Sequence, residues 1–263
     1  MSSSGSYPLY DHILVIGATS ELFSLMIVPL LPYVRMMTCV GRNHAHLEKL
    51  KNDFPQHVTT HVVDLLEPEA MKTISHLIAS NSFDALVQLQ GFGHYGLFET
   101  IPSHDHEKIL YVNLTSVITI ANLFITHQKD PKKQKVILHA ASLAGLVFCP
   151  YLASYGAAKA GLHHFTQTIA LELGNDFFIQ SLCPKAFGQH FSMIASSGLY
   201  RNPDSLEGYT AKVSQAFVDS LILRKKSTFC TVGDRLMALL YFAVPQRLMT
   251  YLFKRKMKKR VRS

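Results

Sequence analysis

The sequence predicts an α/β fold: a doubly wound parallel sheet of about seven strands with helices on both faces. Three observations predict it. Short apolar runs recur along the chain, each followed by a segment whose apolar residues keep helical spacing. Most of these runs are apolar throughout instead of alternating, which is the pattern of strands covered on both faces by helices. A length of 263 residues, 48% hydrophobic and 17% charged, also suits one packed core, and no internal repeat or low-complexity linker divides it.

The elements follow in order. HILVIG (12–17) is the first strand, with a helix over about 19–31. MMTCVG (36–41) is the second, followed by the helix NHAHLEKLKNDF (43–54). HVVDL (61–65) is the third, and PEAMKTISHLIAS (68–80) is the helix after it. DALVQLQ (84–90) is the fourth, before a long helix over about 104–127. KVILHAAS (135–142) is the fifth, before a helix over about 151–173, and FFIQSLCP (177–184) is the sixth. A mixed segment with Gly198, Pro203 and Gly208 leads to a helix over about 209–223, and STFCTVG (227–233) reads as a seventh strand. Parallel neighbours joined through helices call for right-handed crossovers. Residues 1–233 are expected to form a single domain, and 234–263 an apolar, basic helical extension.

The net charge of +8 is unevenly placed. The last ten residues, KRKMKKRVRS, hold seven cations and no acid, so the rest of the chain is nearly neutral. Nucleic-acid binding is not expected, because the cations form a terminal tail and not a folded face with stacking aromatics. Cys39, Cys149, Cys183 and Cys230 are scattered, with no C-x-x-C pair, and read as reduced residues of a cytoplasmic protein. The histidines are dispersed over different elements, so no metal site is expected. The opening MSSSGSYP lacks the basic and apolar regions of a secretory signal and reads as a frayed leader.

Tyr155 and Lys159 lie one helical turn apart in YGAAKAGLHHF, with Ser142 thirteen residues upstream in ILHAASLAG. Residues four apart share a helix face. An ammonium beside a phenol favours the phenolate, so the tyrosine pKa is expected to fall from about 10 towards neutrality. Such a tyrosine exchanges a proton with a hydroxyl/carbonyl pair, and a hydroxyl from the neighbouring strand end can hold the carbonyl oxygen.

With Asn113 in YVNLTS and the long helix PYLASYGAAKAGLHHFTQTIALEL, the chain resembles the short-chain dehydrogenase/reductase family from about 12 to 233. The resemblance implies a Rossmann-type fold and a nicotinamide cofactor above the strand ends. It implies Tyr155 as general acid/base and Ser142 as the group orienting the substrate oxygen. Lys159 would tune the tyrosine and hold the ribose, and Asn113 would support a water-linked proton relay. The cofactor would deliver hydride to a carbonyl carbon on a small, apolar carbonyl or alcohol substrate. Residues 91–98, Phe148, Tyr151 and the stretch 187–200 are candidate pocket walls.

The family's glycine-rich loop reads here Ile16-Gly17-Ala18-Thr19-Ser20-Glu21-Leu22-Phe23, with the first glycine kept. Its glycines give a tight turn and bring pyrophosphate close to a helix N-terminus. Glu21 adds a negative charge there and Phe23 adds bulk, while the amides and hydroxyls of Thr19 and Ser20 remain candidate ligands. Two further segments depart from the family: its N-N-A-G turn after the fourth strand reads here Gln88-Leu89-Gln90-Gly91, where the resemblance implies Gly91 at the cofactor, and its P-G-x-x-x-T segment after the sixth reads Pro184-Lys185-Ala186-Phe187-Gly188-Gln189. Asp64 and Leu65 match the family's adenine-edge pair. Arg42, in Gly41-Arg42-Asn43, suits a ribose 2′-phosphate, so NADP(H) is expected over NAD(H). The second reading is a non-catalytic Rossmann-like binding or regulatory protein with an impaired cofactor site.

The segment 236–253 is rich in Leu, Met and Tyr but interrupted by Pro245, Gln246 and Arg247, which argues against a membrane-spanning helix. With the basic tail it reads as an interfacial pair resting on an anionic membrane surface, the protein being cytoplasmic and peripheral. The other reading is that this segment closes the core or a dimer face. The expected partners are therefore a small-molecule substrate, that membrane surface and further copies of the chain.

Overall fold

The computed structural model describes residues 8–187, Ala195 and 207–261. Six strands form one parallel sheet in the order β3-β2-β1-β4-β5-β6. They are β1 (Tyr10–Ile16), β2 (Val34–Gly41), β3 (Val58–Val62), β4 (Ala85–Gln88), β5 (Lys135–Ala140) and β6 (Phe177–Leu182). β1, β4 and β6 end in four or more consecutive buried residues, as strands covered on both faces must.

Between and after the strands run α1 (Glu21–Leu30), α2 (His44–Asp53), α3 (Ala70–Ala79), α4 (Ser103–Leu110), α5 (Ser116–Gln128) and α6 (Ala153–Leu173). α7 (Glu207–Leu223), α8 (Val232–Ala243) and α9 (Gln246–Val261) complete the chain. Two apolar clusters sandwich the sheet. Phe23, Met26 and Ile27 of α1 join Val213, Phe217 and Leu221 of α7 on one face. Ile74 and Leu77 of α3 join Ile120 and Phe124 of α5 on the other.

The expected seventh strand does not form. Residues 227–233 run beside β6, where the Cys183 amide donates to the Thr228 carbonyl at 2.8 Å and the Gln180 carboxamide donates to the Ser227 carbonyl. The run then ends in a helix cap. Thr231 accepts from the Asp234 amide, and the Asp234 carboxylate accepts from the Thr231 amide, a reciprocal box that starts α8. β3 lies three residues earlier than expected, because the chain turns at Asp64, whose Oδ1 accepts from the Leu66 amide at 3.1 Å. The long helix expected over about 104–127 is one rod from Ser103 to Gln128, widened by a π-turn over Tyr111–Thr115 that contains Asn113. That rod is the one helix among the described residues long and apolar enough to cross a membrane. Here its Val117, Ile120, Ala121 and Phe124 are buried.

The strand order reverses between β1 and β4, and ligands of such sheets bind at the carboxyl ends of the strands beside that reversal. The functional candidates gather there.

Candidate active site

A cavity of about 650 Å³ opens over the strand ends. Gly17, Thr19, Ser20, Arg42, Asp64, Gly91, Ser142, Tyr155 and Lys159 all line it, so sequence positions 142 residues apart converge on one volume. Asn113 sits one layer behind. Its Nδ2 donates to the carbonyls of Phe92 at 2.8 Å and Ile109 at 2.9 Å, while its buried Oδ1 has no hydrogen-bond partner among the described residues. A Cβ on Gly91 would come within 2.5 Å of that Oδ1 and 3.2 Å of Lys159 Nζ. Only glycine lets the backbone after β4 pass between the asparagine and the lysine.

Lys159 is buried and donates to the Ala140 carbonyl at the end of β5 at 2.7 Å. Its Nζ lies 5.8 Å from the centre of the Tyr155 ring. Burial pushes the ammonium down to about 8. The neighbouring His139 is pushed down to about 3, by burial first and then by the Lys159 charge, so it stays neutral. Tyr155 corrects the sequence expectation. Burial raises its phenol well above the ordinary range, and the hydrogen bond with Ser142 works against that rise. Lys159 is turned towards the Ala140 carbonyl, and desolvation, not the ammonium, dominates the phenol.

Ser142 ends the β5 segment, and its Oγ accepts from the Ala144 amide at 3.2 Å, which starts a short turn over Leu143–Gly145. That turn presses on α6. A Cβ on Gly145 would meet the Lys159 carbonyl carbon at 2.6 Å and the Ala160 nitrogen at 2.7 Å. Direct contact between loop and helix backbones thus sets the spacing of Ser142 from Tyr155. Gly145 ends the run ILHAASLAG, and the need for glycine there shows only once the two elements are packed.

At the other end of the cavity the altered loop keeps the required path. Gly17 has φ +83°, and a Cβ there would come within 2.6 Å of the Gln90 nitrogen. Phe23 is fully buried with Met26 and Ile27 and does not line the cavity. Ser20 caps α1: its Oγ accepts from the Phe23 amide at 3.3 Å, leaving its proton to donate outward. The Ser20 amide, expected to face an anion, donates instead to the Gly17 carbonyl at 3.0 Å. The Thr19 and Leu22 residues at the head of α1 line the cavity, as does Glu21. Gly41 makes room for Thr19, whose side chain would lie 2.8 Å from a Cβ there. Asn43 beside it caps α2 by accepting from the His46 amide, leaving Arg42 exposed at the rim.

These features fit a dinucleotide. A positive-φ turn delivers the chain to a helix N-terminus, and Arg42, Asp64 and Leu65 line the same cavity beyond it. Gln90, which the sequence alone does not mark as a site residue, is buried at the cavity wall with neither end of its carboxamide hydrogen-bonded among the described residues. Phe92, Tyr95, Val147, Leu152, Phe187 and Met237 supply apolar wall. Phe148 and Tyr151, expected there, do not line it; Phe148 stands exposed against the Tyr241 ring. Gly188, Gln189 and the rest of 188–200 apart from Ala195 lie outside the described residues, as do Pro203 and residues 1–7 of the opening segment.

Residues 11–193 match the short chain dehydrogenase family. A D-beta-hydroxybutyrate dehydrogenase from Rhizobium meliloti is 30% identical over 130 residues, 48% of this chain and 50% of that protein. The alignments thus span about half the length of the curated relatives. A short-chain dehydrogenase from Sphingobium yanoikuyae, solved in complex with NADPH, superposes with a TM-score of 0.75 at 19% identity. That superposition covers 91% of this chain and 95% of the other. A citronellol catabolism dehydrogenase from Pseudomonas aeruginosa superposes at 0.63 with 22% identity, over 82% and 90% of the two chains. Both share the fold.

Proposed function

Because the chain belongs to the short chain dehydrogenase family, we propose that it is an NADP(H)-dependent oxidoreductase interconverting a carbonyl and a hydroxyl on an apolar small molecule. The observation that carries this reading is the meeting of Ser142, Tyr155 and Lys159 in one cavity with Gly17, Arg42 and Asp64. When bound, NADPH supplies hydride to the substrate carbonyl carbon. Ser142 and Tyr155 hold the carbonyl oxygen between them, and Tyr155 gives it the phenolic proton as negative charge develops. A phenol raised by burial keeps that proton at neutral pH and is ready to donate it. Lys159, with its pKa near 8, returns a proton to Tyr155, and Asn113 Oδ1 offers a place for a relay water beside Gly91.

Arg42 at the rim supports NADP(H) over NAD(H), because a guanidinium pairs with a 2′-phosphate in two parallel hydrogen bonds. Glu21 in the cavity wall is the observation that favours the second reading, a binding protein with a weakened cofactor site. Four scattered cysteines with no C-x-x-C pair support a reducing, cytoplasmic compartment. Self-association of the chain is part of this reading, and light scattering would report it.

Carbonyl-dependent NADPH oxidation with a panel of apolar aldehydes and ketones tests the activity. Tyr155→Phe is expected to lower turnover by about 10²-fold or more while leaving NADPH binding intact. Undiminished turnover in that variant would remove Tyr155 from the reaction.

A further inference from the structure

We propose that α8, α9 and Phe148 form a docking surface for an anionic lipid membrane. One side of α8 is held by the protein body. Asp234 accepts from the Tyr209 hydroxyl at 2.9 Å, and Ala238 and Tyr241 pack on Leu143 and Val147. The Tyr241 hydroxyl also accepts from the Phe148 amide at 3.0 Å. The opposite side is left apolar and uncovered: Leu236, Leu239, Leu240 and Phe242 are 54–65% exposed. Leu248, Tyr251 and Leu252 of α9 and the ring of Phe148 are also exposed, so the uncovered surface spans three segments of chain.

Charge chooses the occupant. Residues 235–263 carry nine Lys and Arg and no Asp or Glu. Among them Arg235, Arg247, Lys254 and Arg255 are exposed along the same two helices. An apolar face flanked by cations matches the two signals of stable peripheral attachment, inserted side chains and attraction to anionic headgroups. A second copy docking face to face through a two-fold axis would set cation against cation. A nucleic acid would use the cations and leave the leucines and Phe242 in water.

The surface adjoins the cavity. Met237 of α8 lines it, and the loop beneath α8 begins at Ser142. If the carbonyl-reducing reading holds, on which this consequence rests, docking brings the cavity wall next to lipid in which an apolar substrate dissolves.

Co-sedimentation of the full chain with vesicles of phosphatidylcholine alone, or with phosphatidylserine added, tests the surface. The protein is expected to bind only the anionic vesicles, and less as salt rises. Lys254→Glu with Arg255→Glu should weaken binding about tenfold or more. Leu239→Ser with Leu240→Ser, both at exposed positions, should weaken it by a similar factor. Each variant should keep the wild-type melting temperature, which separates lost docking from lost folding. Failure of the wild type to bind anionic vesicles at low salt overturns the proposal. So does unchanged binding in both variants, self-association lost in the leucine variant without vesicle binding, or DNA binding in its place. Tyr155→Phe should bind vesicles like the wild type, so vesicle failure and catalytic failure are read separately.

Discussion

The two ends of the cavity solve opposite problems. At the catalytic end Ser142, Tyr155 and Lys159 keep the side chains that the proposed proton transfer needs, and the fold bears the cost of burying a lysine held down to about 8. At the loop end most family side chains have changed, yet the backbone path survives on one glycine at φ +83°. Glu21 projects to the cavity wall, whereas Phe23 turns into the core between sheet and α7. Proton transfer requires particular atoms at particular places. Phosphate binding by a helix N-terminus requires a turn and free amides, which several sequences supply.

That contrast predicts stability changes of opposite sign. Phe23→Gly, which restores the family residue, should be the largest effect. Emptying a fully buried phenyl site is expected to cost about 3–5 kcal/mol in denaturant melts, with the added glycine in a helix worsening it. A gain in NADPH affinity without loss of stability would break the contrast. Lys159→Met should act the other way. The unfolded chain binds the lysine proton up to the ordinary 10.5, while the folded one releases it near 8. Burial therefore costs stability fully below about pH 8, and the cost fades as pH rises from 8 to 10.5. Lys159→Met is expected to gain up to about 3 kcal/mol near neutrality. Leaving the Ala140 carbonyl without its donor offsets about 1 kcal/mol of that. The gain should shrink towards pH 10.5, and melts at both ends of that window check it.

Smaller effects sharpen the loop end. Ser20→Ala removes the α1 cap and should cost about 1 kcal/mol while weakening NADPH binding, both read by melts with and without NADPH. Glu21→Gln removes an acidic group from the first turn of α1 beside the cavity. It should tighten NADPH several-fold in a calorimetric titration, at a cost of about 0.3–1 kcal/mol in helix stability. Unchanged affinity would mean that Glu21 points clear of the phosphates.

The order of strands and helices was legible because parallel buried strands are continuous apolar runs and their helices keep a strict period. Of the four catalytic candidates, Ser142, Tyr155 and Lys159 stand out in the sequence because their spacing from the end of β5 into α6 is nearly local, whereas Asn113 lies on the π-turn Tyr111–Thr115 and rests on the resemblance of YVNLTS. The 227–233 stretch misled because Thr231 and Val232 have strand-like side chains, while capping by Asp234 decides their fate. The direction of the Tyr155 shift was also hidden. Burial of the phenol decides it, and that burial exists only once α6 is packed into the rest of the site. Whether Phe23 blocks the loop cannot be read from the loop's own eight residues, since its place is set by α7, almost two hundred residues on.

The central claim is that the altered loop still seats NADP(H) beside intact proton-transfer groups. Thermal denaturation of the wild-type chain with millimolar NADPH or NADH tests it most directly, because a ligand specific to the native state raises the melting temperature by mass action. The account predicts a clear rise with NADPH and a smaller one with NADH. No rise with either nucleotide would contradict it.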